Sequence, residues 1–135
     1  MAQAISEPPP GTEPLAALTI LLDQLRESIE AHPHFLNLVR ATADTAAGGK
    51  GKPAQLAREL RELGLTLIRD RIAAALGLEP ESELAIRLAR FTRATIDGAL
   101  LAERADRVPL EDTLAPLPAA VLAVFDRYRQ PWPTG

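Results

Sequence analysis

ELAIRLARFTRATIDGALLAERA, residues Glu83 to Ala105, has the composition of a helix and the periodicity of one covered on two sides. At about 100° per residue, the charged side chains Arg90, Arg93, Asp97 and Arg104 gather in one narrow sector. Nearly everything else is apolar or small. A surface helix that faces one core needs an apolar stripe somewhat over about 100° wide, and this arc is about twice that. One side carries Leu84, Leu88, Thr92, Thr95, Ile96 and Ala99; the other carries Phe91, Ala94, Gly98, Leu101 and Ala105 at spacings of three and four. Glycine in a helix interior costs about 1 kcal/mol relative to alanine. Close approach of another helix accounts for Gly98, and in a chain this short that helix is expected to come from a second copy.

The rest of the composition agrees with a helical protein. The chain has 135 residues, enough for one domain with a real core and no need of disulfides or metal. It has no cysteine, which excludes a disulfide framework and a thiolate metal site. Hydrophobic residues make up 47% but aromatic ones only 4%, so the apolar content is chiefly Ala and Leu, the best helix formers. The expected fold is all-α. The net charge of -3 argues against a nucleic-acid surface, which needs a basic patch to neutralise phosphates. No uncharged apolar run reaches the roughly 18 residues of a membrane span, and no signal-peptide pattern opens the chain. A soluble, cytoplasmic protein without a membrane partner is expected.

Outward from the central stretch, the flanking segments read as further helices. Residues 1–13, with Pro8, Pro9, Pro10 and Gly11, form no regular element and read as a tail or linker remnant. From Pro14 the leucines and isoleucine at 15, 18, 22, 25 and 29 mark one face of a first helix ending near Ala31. Pro33 opens a second helix with Phe35, Leu36, Leu38, Val39 and Ala43 on its apolar face. Ala47 to Lys52 reads as a solvated connector. A third helix runs from about Ala54 to Leu76, with Leu56, Leu60, Leu63, Leu67, Ile68 and Ile72 inward and Arg58, Glu59, Arg61, Glu62, Arg69 and Asp70 outward. Gly77 suits the left-handed stop. Beyond Pro109, a short turn over Leu110 to Leu114 leads to a last helix from about Pro116 to Arg129. Its seam is Leu114, Leu117, Val121, Val124 and Tyr128, widened by Leu122 and Phe125. Residues 130–135 form a tail, and 14–129 the folded domain.

Little in the sequence carries chemistry. His32 and His34 are the only histidines, whereas a metal needs three or four convergent ligands; they read as helix-start residues, with His34 beside Phe35 at a possible pocket. AGGKGK lacks the spacing of a phosphate loop. Glu79, Glu81 and Glu83 complement the positive end of a helix dipole. No nucleophile is paired with a base, so neither an enzyme nor a cofactor is expected. The hydroxyls of Thr42, Thr66, Thr92 and Thr95 lie on otherwise apolar faces, where each can bond the carbonyl one turn earlier. With Phe35, Val39, Leu63, Leu67 and Ile96 they could also line a mostly apolar cavity, although for each residue alone the core reading is favoured.

The segments EPLAALTILLDQLRESIEAHPHFLNLV (Glu13 to Val39), ATIDGALLAERAD (Ala94 to Asp106) and VPLEDTLAPLPAAVLAVFDRY (Val108 to Tyr128) resemble the C-terminal half of TetR-type transcriptional repressors. The resemblance spans about Glu13 to Tyr128 and rests on helix lengths and local signatures. It implies a five-helix bundle whose first three helices, with the central one, enclose a pocket for a small apolar or amphipathic effector. The pocket candidates are His34, Phe35, Val39, Thr42, Leu63, Thr66, Leu67, Thr92, Thr95 and Ile96. It further implies that the last two helices pair with their equivalents in a second copy as a four-helix bundle. Phe91, Ala94, Gly98, Leu101, Ala105, Val121, Leu122 and Phe125 are the interface candidates. The family reads DNA through an N-terminal helix-turn-helix domain that has no counterpart before Glu13, so no nucleic-acid contact is expected from this chain. The alternative reading is a stand-alone helical interaction module with a filled core.

Overall fold

A computed structural model describes residues 13–31, 41, 48 and 50–129. Within them the chain is all-α. Five helical pieces follow one another: α1 (Pro14–Ala31), α2 (Gly51–Leu76), α3 (Glu83–Asp106), α4 (Leu110–Leu114) and α5 (Leu117–Arg129). The helix expected from Pro33 lies, apart from Ala41, outside the described residues. So do most of the two tails.

The helix ends follow local chemistry. Gly77 adopts φ 68° and closes α2 by donating its N–H to the Ala73 carbonyl, the left-handed stop for which glycine has no Cβ penalty. Ser82 caps α3, its Oγ accepting from the Ala85 N–H at 3.2 Å. At the far end Arg107 takes the same left-handed conformation, φ 57°, without glycine's freedom. Pro109 then starts α4. Pro116 and Pro118 bracket the start of α5, where a missing N–H leaves no helical bond unmade.

The packing forms a ring. α1 touches α2 and α5, and α3 touches the same two, so α1 and α3 lie diagonally across a four-helix arrangement, with α4 against both. The core between them is made by Leu18, Leu21, Leu22 and Ile29 of α1, Ile68, Ile72 and Leu76 of α2, and Leu88, Ile96 and Leu100 of α3. Leu110 and Leu114 of α4 and Leu117, Val121 and Phe125 of α5 complete it.

Several expectations are corrected. Gly51 and Lys52 belong to the first turn of α2 rather than to a connector, because Pro53 suits a first turn and lets the helix begin before it. The inward face of α2 is as expected at Ile68 and Ile72, with Leu67 packed against the core, but not over its first half. Leu56, Leu60 and Leu63 are exposed, while Ala54, Ala57, Ile68, Ile72, Ala73 and Leu76 are buried. Ala54 and Ala57 occupy a sector roughly 120° from the three exposed leucines. Arg61, expected outward, is half-buried. Leu15 and Tyr128 also leave the faces assigned to them, at 44% and 50% exposure. The last seam keeps Leu114, Leu117, Val121 and Phe125 as expected and gains Pro118, and Arg129 lies over the Phe125 ring at 5.1 Å from its centroid.

Candidate functional site

Three sectors of α3 face different surroundings, and their order around the helix positions the candidate site. Leu88, Ala89, Thr92, Ile96, Ala99 and Leu100 are buried in the core. The charged sector does not simply face water. Asp97 Oδ2 accepts from Arg61 Nη2 of α2 at 2.8 Å, and Arg93 Nη1 donates to the Arg61 carbonyl at 2.9 Å. Burial, followed by the like charge of Arg61, pushes the Arg93 guanidinium below its ordinary value; Asp97 opposes the shift. One carboxylate and one backbone carbonyl therefore hold two arginines at the α2–α3 contact.

The third sector carries Phe91, Ala94, Gly98, Leu101 and Ala105, all exposed. Leu101 is 67% and Phe91 40% accessible to water. A Cβ added at Gly98 would meet nothing within 4 Å. Among the described residues no helix packs closely on Gly98, so the neighbour inferred for it is not α1, α2, α4 or α5. Burying a leucine side chain is favourable by about 1.5–3 kcal/mol, and this stripe leaves Leu101 largely, and Phe91 in part, without that gain. The platform beneath it is a 24-residue helix capped at both ends and held to α2 by the arginine contacts.

The α5 residues in the interface set are placed differently. Val121 has no exposure and Phe125 very little, so both serve this chain's own core, and Leu122 is half-buried against it.

The pocket set divides as well. His34, Phe35, Val39 and Thr42 lie outside the described residues. Thr92 is fully buried, and its hydroxyl donates to the Leu88 carbonyl at 2.8 Å. Thr95, half-buried, does the same to the Phe91 carbonyl at 2.9 Å. Ile96 is a core residue and Leu67 packs against that core. Leu63 and Thr66 face outward, Leu63 at 68% exposure. The described members thus bring Thr92, Ile96 and Leu67 to the core, with Leu63 and Thr66 at the surface of α2.

Sequence reasoning missed Arg61. Its signal was present: Arg61 shares a helical sector with Ala54, Ala57 and Ile68, a small-residue face that admits a neighbour. Among the described residues no group of three or more His, Asp or Glu side chains is placed to hold a metal, and no helix is long and apolar enough to cross a membrane. Glu83 pairs with Arg87 at 2.6 Å and so belongs to the first turn of α3. No family model, no curated protein and no solved structure matches this chain.

Proposed function

We propose that this chain is a homodimerising regulatory module of the TetR type, which pairs with a second copy through α3 and takes a small apolar or amphipathic effector between its helices. The observation that carries the reading is the exposed stripe Phe91, Ala94, Gly98, Leu101 and Ala105 on an otherwise well-anchored helix. A self-complementary patch is the commonest route to a symmetric oligomer. In such a regulator the effector acts by binding one arrangement of the pocket helices better than another, which shifts the population of the dimer's states. The resemblance in helix order supports the effector step, and Thr92 and Ile96, where α3 faces the core, are the residues on which it would act.

A second reading has one observation in its favour. Thr92 is fully buried with its hydroxyl satisfied inside its own helix, as in a filled core, which suits a stand-alone interaction module. One pair of measurements separates them. Sedimentation of the unmodified chain should give a dimer that Leu101→Asp converts to a monomer with an unchanged helical circular-dichroism spectrum. A panel of apolar and amphipathic small molecules should then raise the melting temperature under the regulatory reading. A dimer that no member of the panel stabilises favours the interaction module.

A further inference from the structure

Resting on the self-pairing proposed above, we infer that the two α3 helices run antiparallel about a two-fold axis, with Leu101 of each copy seated in the open space over Gly98 of the other. The stripe offers both halves of that contact. Leu101 is the most exposed large apolar side chain of α3, and Gly98, one turn away on the same face, has nothing among the described residues within 4 Å of where a Cβ would stand. An isologous interface requires that a projection and a recess on one surface fit each other after a two-fold rotation. A parallel pairing would stack Leu101 on Leu101 and leave the recess unfilled.

The charges beside the stripe select the register. With Phe91, Gly98 and Ala105 taken as the first core position of a heptad and Ala94 and Leu101 as the second, Arg90, Asp97 and Arg104 flank the seam on one edge. Seating Leu101 over Gly98 sets Ala94 against Ala105 and brings Asp97 of each copy beside Arg104 of the other, an opposite-charge pair made twice. Sliding by one heptad toward the N-terminus opposes Asp97 to Asp97 and Arg90 to Arg104. Sliding by two buries Arg87 against Gly98. Sliding by one the other way shortens the overlap and sets Arg104 against itself. Only the first register has apolar layers and opposite charges together. Asp97 remains 38% exposed although Arg61 holds one of its oxygens, and Arg104 is exposed, so both can reach across.

The chain has no cysteine, which makes disulfide mapping clean, since a bridge forms only when two Cα atoms lie within about 7 Å. Chains carrying Gly98→Cys are mixed with chains carrying Leu101→Cys under mild oxidation, and Ala94→Cys chains with Gly98→Cys chains in parallel. A heterodimeric cross-link dominated by the 98–101 mixture is expected. A 94–98 cross-link instead overturns the register while leaving dimerisation through α3 intact. A dimer on sedimentation that cross-links in neither mixture overturns the register. A monomer overturns the self-pairing itself. Independently, Arg104→Glu acts twice across the axis and should raise the dimer dissociation constant about tenfold, with Arg104→Lys close to the unmodified chain; an unchanged constant for Arg104→Glu contradicts the register.

Discussion

Thr92 illustrates how a single polar residue can sit in an apolar core at little cost. Its hydroxyl donates to the Leu88 carbonyl, which a helix interior offers without distortion. Thr92→Val keeps the shape and removes the donor, and that carbonyl retains its helical N–H partner. The expected change in unfolding free energy is within about 1 kcal/mol, because a net hydrogen bond contributes only that much; urea denaturation measures it. A loss well above that would mean the hydroxyl satisfies a further buried group. Asp97 is the opposite case, since its carboxylate is shared between α2 and α3. Asp97→Asn should destabilise the fold by about 1 kcal/mol, the scale of a partly exposed ion pair, and high salt should shrink the difference between the two proteins in the same denaturation experiment. Gly98 carries the clearest double prediction. On an exposed helix position Gly98→Leu should raise the stability of the isolated fold by up to about 1 kcal/mol on propensity alone. It should also weaken self-association, because the added side chain fills the recess that Leu101 needs. Stability and association moving in opposite directions is a signature that a purely structural glycine would not give.

At the scale of elements, helix ends were legible in the sequence and helix faces less so. Pro14, Gly77 and the prolines at 109, 116 and 118 act through their own backbone chemistry, and each marks an end or a first turn. Which sector of α2 turns inward depends instead on what approaches it. Leucine counts pointed to Leu56, Leu60 and Leu63, whereas Ala54 and Ala57 are the buried residues of that half of the helix. Single-sequence periodicity weighs side-chain size and cannot weigh the gain from close backbone approach. The candidate site divides in the same way. The two apolar sides of α3 could be read from spacing alone, and the buried one coincides with the core. The role of Arg61 and the interior position of Val121 could not, because both are set by neighbours distant in sequence. Two helix positions invite direct test. Arg107 holds a left-handed conformation that costs an L-residue roughly 1–2 kcal/mol, so Arg107→Gly should raise stability by about 0.5–1 kcal/mol. Gly64, mid-helix with open space around it, should likewise gain up to about 1 kcal/mol as Gly64→Ala. Thermal denaturation followed by circular dichroism checks both, and a lower melting temperature for Arg107→Gly would contradict the strain assigned to that cap.

For the whole molecule, the ring of α1, α2, α3 and α5 buries one side of α3 and leaves the other facing water. Among the described residues nothing covers that second apolar side; on the proposed reading, a second copy does. Native mass spectrometry of the unmodified chain over a dilution series, with Leu101→Asp measured alongside, tests this most directly. The account predicts a dimer that dissociates only at low concentration, and a monomer at every concentration for the variant. A monomeric unmodified chain throughout the series, or a Leu101→Asp dimer as strong as the original, would contradict the pairing of α3 with a second copy.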